Sequence, residues 1–393
     1  MDPVRNPYAP GAGSPPPELA GRSELIEQAT VALRRIAIGK AAQSLVLVGL
    51  RGVGKTVLLN KIRSIAEQER YATILIEAHE GKTLPALLVP GLRSILYELS
   101  LLENAKEKAR KGLRVLKSFL SGLSVKVSDI EVGLSVDPEV GVADSGDLEV
   151  DLPALVEVVA DAAKSAGRPV AILMDELQYL SEKEFSSLIM AIHRINQASL
   201  PLILIGAGLP QILGLAGNSK SYTERLFRFP QIGALESPDA IAAIVNPARS
   251  EGVVFEQDAI ESILAQTERY PYFLQQWAYE AWNAAPTEVI SLEIVEAATQ
   301  MAIKELDQSF FKVRFDRCTP SERKYMRALA ELGGGTHRSG DIAEKLNVKT
   351  TSVAPVRNGL ILKGMIYSPA HGDTAFTVPL FDQYMRRAMP GMA

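Results

Sequence analysis

Three short runs in this chain are apolar at nearly every position: Leu45–Val48, Pro169–Met174 and Leu202–Ile205. Continuous runs of this length, as opposed to alternating ones, suit strands buried on both faces of a parallel sheet. Val57, Leu58, Ile62 and Ile65 follow the first run at the spacing of one helical face. From Glu236 to about Lys312 the pattern is helical and rich in Ala. Ala105–Leu116 reads as a basic helix, and Leu123–Val150 alternates apolar and polar residues around Pro138, Gly141 and Gly146. That alternation predicts an inserted β-hairpin or small β lobe at about 120–150, which could touch DNA or a partner or serve as a structural flap. Its acidic end (Asp144, Asp147, Glu149, Asp151) argues against DNA there.

The last part of the chain is organised differently. Thr319-Pro320-Ser321-Glu322 opens a helix whose apolar positions are Tyr325, Met326, Leu329 and Leu332, and Gly333–Gly335 stops it. Ser339–Leu346 is a short second helix, and Asn347–Lys349 is a turn. Thr350–Lys363 is a third helix, with Val353, Val356, Leu360 and Ile361 inward and Pro355 as a discord unless it lies in the first turn. Met365–Tyr367 and Phe376–Val378 then form strands around His371-Gly-Asp373. The order predicts a winged helix-turn-helix. The expected fold class is α/β: a parallel-sheet core at 19–235, a helical lid and linker at 236–312, and the winged unit at 313–393. Met1–Pro17 is a Pro/Gly-rich arm, expected to be extended and poorly ordered until it meets the core.

The chemistry concentrates at the end of the first strand. Gly49-Leu50-Arg51-Gly52-Val53-Gly54-Lys55-Thr56 fits G-x-x-x-x-G-K-[ST] in full, between an apolar run and an amphipathic helix. Gly49, Gly52 and Gly54 let backbone N–H groups turn inward around phosphate oxygens, and the helix N-terminus adds partial positive charge. Lys55 supplies a full charge to the β- and γ-phosphates, and the Thr56 hydroxyl can ligate Mg²⁺. The second apolar run ends in Asp175-Glu176, which places two carboxylates at the carboxyl edge of the sheet, where the phosphate loop opens. Asp175 suits Mg²⁺ and Glu176 the polarising of an attacking water. Alone, the pair would read equally as a strand followed by an acidic helix cap.

With these residues the chain resembles AAA+ P-loop ATPases of the branch holding the origin-recognition and cell-division-control initiators and the STAND signalling ATPases. Leu19-Ala-Gly21-Arg22-Ser-Glu24-Leu25 is similar to the GR-x-x-E-L motif beside the adenine. Leu200–Pro210 resembles the strand that follows the Asp-Glu strand, and Tyr222–Phe227 resembles the arginine-finger region. Glu268–Leu274 resembles the lid motif written G-x-P. The likeness covers about residues 19 to 285. It implies ATP or ADP as ligand with Mg²⁺, hydrolysis of ATP, and nucleotide contacts from Gly21, Arg22, Gly49, Arg51, Gly52, Val53, Gly54, Lys55, Thr56, Val57, Arg269 and Pro271. It implies a homo-oligomer formed on ATP binding, with Arg225 donated between subunits; a surface role for Arg225 is an equal reading, and Arg228 competes for the role. Two departures stand out. Gly206, Ala207 and Gly208 give the sensor strand no polar side chain, which speaks for slow hydrolysis. Arg269 replaces the Gly of the lid motif, and is either a second sensor or a solvated arginine.

Charge separates the two ends. Residues 319–393 carry 10 Lys and Arg against 6 Asp and Glu, a net of +4 in a chain of net −4. A basic module on an acidic body is the footprint of nucleic-acid binding, so double-stranded DNA is the expected partner. Lys349, Thr350, Thr351, Ser352 and Arg357 offer polar groups to a major groove, and Arg338 and Lys345 suit phosphates. A winged unit packed against protein is the competing reading. No apolar run approaches 18 residues, so no membrane span is expected. The Pro-rich N-terminus does not read as a secretory signal. The lone Cys318 excludes an internal disulfide and fits a reducing, cytoplasmic setting. His79, His193, His337 and His371 are scattered and suggest no metal cluster.

Three functions compete: a nucleotide-dependent DNA-binding switch, a STAND-type switch released by a protein partner, and a transposition or defence helper acting on DNA through a second protein.

Overall fold

A computed structural model describes residues 1–11, 16–123, 136–219, 223–370 and 372–391. The three apolar runs become strands β1 (Ser44–Val48), β3 (Val170–Asp175) and β4 (Leu202–Gly208), buried at every position. Strand β2 (Ala72–Glu77) alternates, with Ala72, Ile74 and Ile76 inward. It can do so because it is the sheet's edge. With the short β5 (Phe227–Arg228), the five strands lie parallel in the order β2-β3-β4-β1-β5. The register sets Val48 opposite Gly208 and Glu77 opposite Asp175, so the ends that carry chemistry share one edge.

Helices cover both faces, as a parallel sheet requires. α1 (Ser23–Ala37) and α2 (Lys55–Gln68) pack Leu33, Ile36, Leu58 and Ile62 on Leu45, Leu47, Leu173 and Ile205. The other face carries α3 (Leu84–Ser100), α4 (Lys106–Gly122), α5 (Leu148–Ala166) and α6 (Glu182–Gln197). Each Leu or Ile buried there contributes about 1.5–3 kcal/mol.

The expected β lobe is described only in part. Among the described residues of 120–150 there is no strand: α4 runs to Gly122, and α5 begins at Leu148. The acidic residues that accompany the alternation are helix-start chemistry. Asp147 caps α5 by accepting the Glu149 amide at 3.3 Å. Buried Asp151 gathers the Ser145 and Gly146 amides at 3.2 and 2.9 Å. The remainder of that expectation, 124–135, lies outside the described residues.

After α7 (Ile212–Ser219) and α8 (Thr223–Leu226) come α9 (Ser237–Ser250), α10 (Gln257–Thr267), α11 (Pro271–Ala284) and α12 (Leu292–Leu306). The two-residue strands β6 (Val254–Phe255) and β7 (Val289–Ile290) pair in parallel beside them. α12 runs through a π-helical turn at Asp307–Phe311 into α13 (Lys312–Asp316). The C-terminal unit follows: α14 (Pro320–Glu331), β8 (His337–Arg338), α15 (Ser339–Lys345), α16 (Thr350–Leu362), β9 (Ile366–Tyr367), β10 (Asp373–Phe376) and α17 (Phe381–Ala388). Thr319 and Glu322 form a capping box at the start of α14. Its three strands pair antiparallel in the order β8-β10-β9. Pro355 sits past the first turn of α16 without ending it.

The helical region and the C-terminal unit share one core. Trp277, Phe273, Phe311, Tyr325, Leu360 and Phe381 belong to the same buried cluster. The ring of Phe311 lies 6.3 Å from Phe273 and 5.2 Å from Tyr384. The described part of the N-terminal arm also joins this core. Tyr8 is buried and its hydroxyl donates to the Ile244 carbonyl. Asn6 donates to the Tyr279 carbonyl at 3.1 Å, and Arg5 pairs with Glu251 at 2.8 Å.

Candidate functional site

At the end of β1 the chain has no room for a side chain: a Cβ on Gly49 would lie 2.1 Å from the Ile232 carbonyl oxygen. Gly52 and Gly54 have φ of +81° and +88°, a region that L side chains rarely adopt. α2 starts at Lys55 with no side-chain cap, so its first amides face the loop's hollow without an intrahelical acceptor. That is a ready anion site. The Lys55 ammonium is buried and donates to the carbonyls of Gly49 and Leu50 at 2.9 and 2.8 Å. Burial pushes its pKa down to about 8, against the upward pull of Glu176 and Asp175.

The two acids take separate positions. Asp175 accepts the Thr56 hydroxyl at 2.6 Å and, through its other oxygen, the Glu176 amide at 2.8 Å. Burial raises its carboxyl above the ordinary range, and the Thr56 bond opposes this. Glu176 has φ of +55°, a strained conformation for a residue with a side chain. One of its carboxylate oxygens faces the Arg51 guanidinium at 3.4 Å, and the other accepts the Gln178 amide group. The Gln178 carbonyl oxygen in turn accepts the Leu209 amide at 2.9 Å. Gln178 therefore occupies the space beside the sensor strand, where a Cβ on Gly208 would lie 3.0 Å from its oxygen.

A cavity of about 260 Å³ runs from this loop beneath the N-terminal arm, lined by Arg51 to Val57 and Glu176 at one end. The other end is closed by Ala9–Gly11, Leu19, Arg22, Leu235, Ala243, Pro271 and Gln275. Arg22 is buried and donates to the carbonyls of Gly233 and Val53 at 2.7 and 3.3 Å. Desolvation lowers its pKa, opposed by Asp239. Gly21 (φ +66°) turns the chain beside Arg22 without lining the cavity.

Arg269, at φ +59° just before α11, lies off the cavity and donates to the Ser237 hydroxyl at 3.1 Å. A cation from elsewhere reaches the cavity. Arg314 of α13 lines it together with Phe310, whose ring lies 4.0 Å under the guanidinium. Sequence reading missed Arg314, Phe310, Tyr272, Gln275 and Gln178. Only Gln178 left a local signal, two residues after Glu176 and opposite a sensor strand stripped of polar side chains.

The lid and C-terminal unit both bond directly to the phosphate loop. The Tyr272 amide donates to Gly52 at 3.1 Å, and the Arg51 amide donates to the Thr377 carbonyl at 2.9 Å. Arg225 is exposed on α8 and lies off the cavity. Arg228 donates to Gln43 at 2.8 Å.

On the C-terminal unit, Arg338, Lys345, Lys349, Thr350, Thr351 and Ser352 are exposed. Arg338, Lys345 and Lys349 make no ion pair with a described residue. Arg357 departs from its expected role. Its guanidinium donates to Thr374, Ser368 and the Asp373 carbonyl at 2.9, 2.7 and 2.7 Å, stapling α16 to the hairpin. Among the described residues no cluster of three or more His, Cys, Asp or Glu could hold a metal ion, and no helix is long and apolar enough to cross a membrane.

Residues 18–205 match the family model of the AAA ATPase domain. Residues 308–385 match a domain of unknown function, DUF8462, whose first residues include Phe310 and Arg314. No curated protein matches the sequence. Among solved structures, the Walker-type ATPase of Pyrococcus abyssi is similar at 14% identity and TM-score 0.58, over 94% of this chain and 96% of that one. The Aeropyrum pernix ORC1 protein, solved in complex with DNA, is similar at 16% identity and TM-score 0.50, over 98% and 96%. The matched region has a parallel central sheet between helices, a fold similar to that of P-loop AAA+ ATPases.

Proposed function

We propose that this protein binds ATP or ADP at the loop Gly49–Thr56, hydrolyses ATP slowly, and uses the exchange to set the position of a DNA-binding C-terminal unit. The observation that carries the coupling is the bond from the Arg51 amide to the Thr377 carbonyl at 2.9 Å. A loop that would close on phosphates is already tied to the unit it would move.

Lys55 and the first amides of α2 would hold the β- and γ-phosphates. Thr56 and Asp175, 2.6 Å apart at the loop's mouth, fit Mg²⁺, which such sites bind through one or two protein oxygens plus phosphates and water. Bound there, the ion would neutralise charge developing on the phosphates. Glu176 would accept a proton from the attacking water, held in place by Arg51 and Gln178. Arg22, Pro271 and Gln275 would enclose the base. Arg225, exposed and off the cavity, fits a role between subunits of an ATP-induced homo-oligomer.

The element order of residues 320–388 supports the winged helix-turn-helix reading. The docked end of the unit is Gly364 and Thr377, so the face formed by Lys345 and Lys349–Ser352 stays open in this arrangement. The ORC1 likeness adds support for DNA as partner. The dock itself equally supports a second reading, in which the C-terminal unit locks the nucleotide in and a protein partner releases it. Fluorescence anisotropy with duplex DNA, with ATP or ADP and across a salt series, separates the two. The DNA reading expects nucleotide-dependent affinity that falls steeply with salt, by a slope set by the phosphates contacted. DNA binding that is absent in both nucleotide states would leave the protein-released switch.

A further inference from the structure

Arg314 belongs to neither the phosphate loop nor the lid motif, yet its side chain faces the same cavity. It is only partly exposed. Its hydrogen bond is to the Phe310 carbonyl and its face rests on the Phe310 ring. Among the described residues no carboxylate comes within ion-pair distance of it. Burial pushes its pKa down to about 10, and the positive charges of Arg51 and Arg317 act in the same direction. A half-buried cation among cations is costly to hold unless an anion arrives. Tyr272 and Glu176 act in the opposite direction, and Arg51 and Glu176 lie at the end of the cavity where Glu176 would meet the terminal phosphate. The π-helical turn at Asp307–Phe311 explains how the side chain gets there. It adds a residue to the helix between lid and C-terminal unit and turns Phe310 toward Tyr272, 4.7 Å away in a stack.

We infer that Arg314, from the helix that leads into the C-terminal unit, binds the terminal phosphate of a nucleoside triphosphate held by the loop, in the same chain. This rests on the reading of Gly49–Thr56 as the nucleotide site. Arginine suits the task because its guanidinium forms paired, charge-assisted bonds to phosphate oxygens. A diphosphate would leave Arg314 without its anion, so the residue distinguishes ATP from ADP. Since α13 continues into α14 through Cys318 and Thr319, the presence of that phosphate is communicated to the C-terminal unit by the chain itself.

The test is ATP and ADP affinity of the full chain, by calorimetry with Mg²⁺, for the wild type, Lys55→Ala, Arg314→Gln and Arg314→Lys. Thermal melting without nucleotide checks that each variant folds. Arg314→Gln should weaken ATP by tenfold or more and ADP by less than threefold, and Arg314→Lys should recover part of the ATP loss. If Arg314→Gln does not fold, Arg314→Lys carries the test, with a selective loss of ATP affinity expected. Equal losses for ATP and ADP, or no loss for either, would overturn the inference while Lys55→Ala still abolishes binding. Wild-type affinity in Lys55→Ala would instead overturn the nucleotide site on which it rests.

Discussion

Lys55 gives the nucleotide site a measurable pH signature. In the nucleotide-free protein, burial brings its ammonium from an ordinary 10.5 down to about 8. The sign follows from the direction: a lowered lysine pKa means that the charge is lost as pH rises through about 8. Nucleotide phosphates surround the ammonium with negative charge and return its pKa toward or beyond the ordinary value. Binding therefore takes up a proton above pH 8. With a free pKa of about 8, linkage predicts that ATP affinity is nearly flat below pH 7 and about tenfold weaker at pH 9 than at pH 7. Calorimetry in buffers of different ionisation enthalpy should find about half a proton taken up at pH 8 and about nine-tenths at pH 9. Lys55→Arg, always charged, should flatten the profile even if it binds more weakly. An affinity for ATP that does not change from pH 7 to pH 9, with no proton uptake, would refute the assignment of Lys55 as a buried phosphate ligand.

Further outcomes follow from single contacts. Gly49→Ala forces a Cβ to within 2.1 Å of the Ile232 carbonyl, so a melting experiment should show a loss of roughly 1–3 kcal/mol and calorimetry a much weaker nucleotide site. Asp175→Asn should remove the gain in nucleotide affinity that Mg²⁺ confers while leaving affinity in EDTA nearly unchanged, and a variant that still responds to Mg²⁺ would remove Asp175 from the metal site. Arg357→Ala breaks three hydrogen bonds between α16 and the hairpin and should cost about 1–3 kcal/mol in melting. Lys349→Ala should leave melting unchanged and reduce both DNA affinity and the steepness of its salt dependence.

What could be read from the sequence was what is local. The loop Gly49–Thr56 and the pair Asp175-Glu176 were legible because each motif sits between elements that its own neighbours specify. The parallel sheet was legible because buried strands are apolar throughout. Arg314 was not, since its approach to the cavity depends on a π-helical turn and on packing of Phe310 against Tyr272, which no spacing rule encodes. Arg269 had two readings in the sequence, because its direction depends on a left-handed backbone position that its neighbours do not encode. Arg357 looked like a groove-facing cation because helical periodicity cannot reveal that Thr374 and Ser368 lie opposite. The pattern before α5 gave no sign that Asp147 and Asp151 serve helix and turn amides. The arm's composition gave no sign that Tyr8 takes a buried place among the helices that follow the sheet.

The most direct test is ATP turnover by the purified chain, with and without duplex DNA, for the wild type, Lys55→Ala and Glu176→Gln. Slow turnover that DNA changes and that both variants lose is expected, with Glu176→Gln retaining ATP binding. Turnover that survives Glu176→Gln, or tight ATP binding with no turnover under either condition, would contradict a DNA-coupled ATPase.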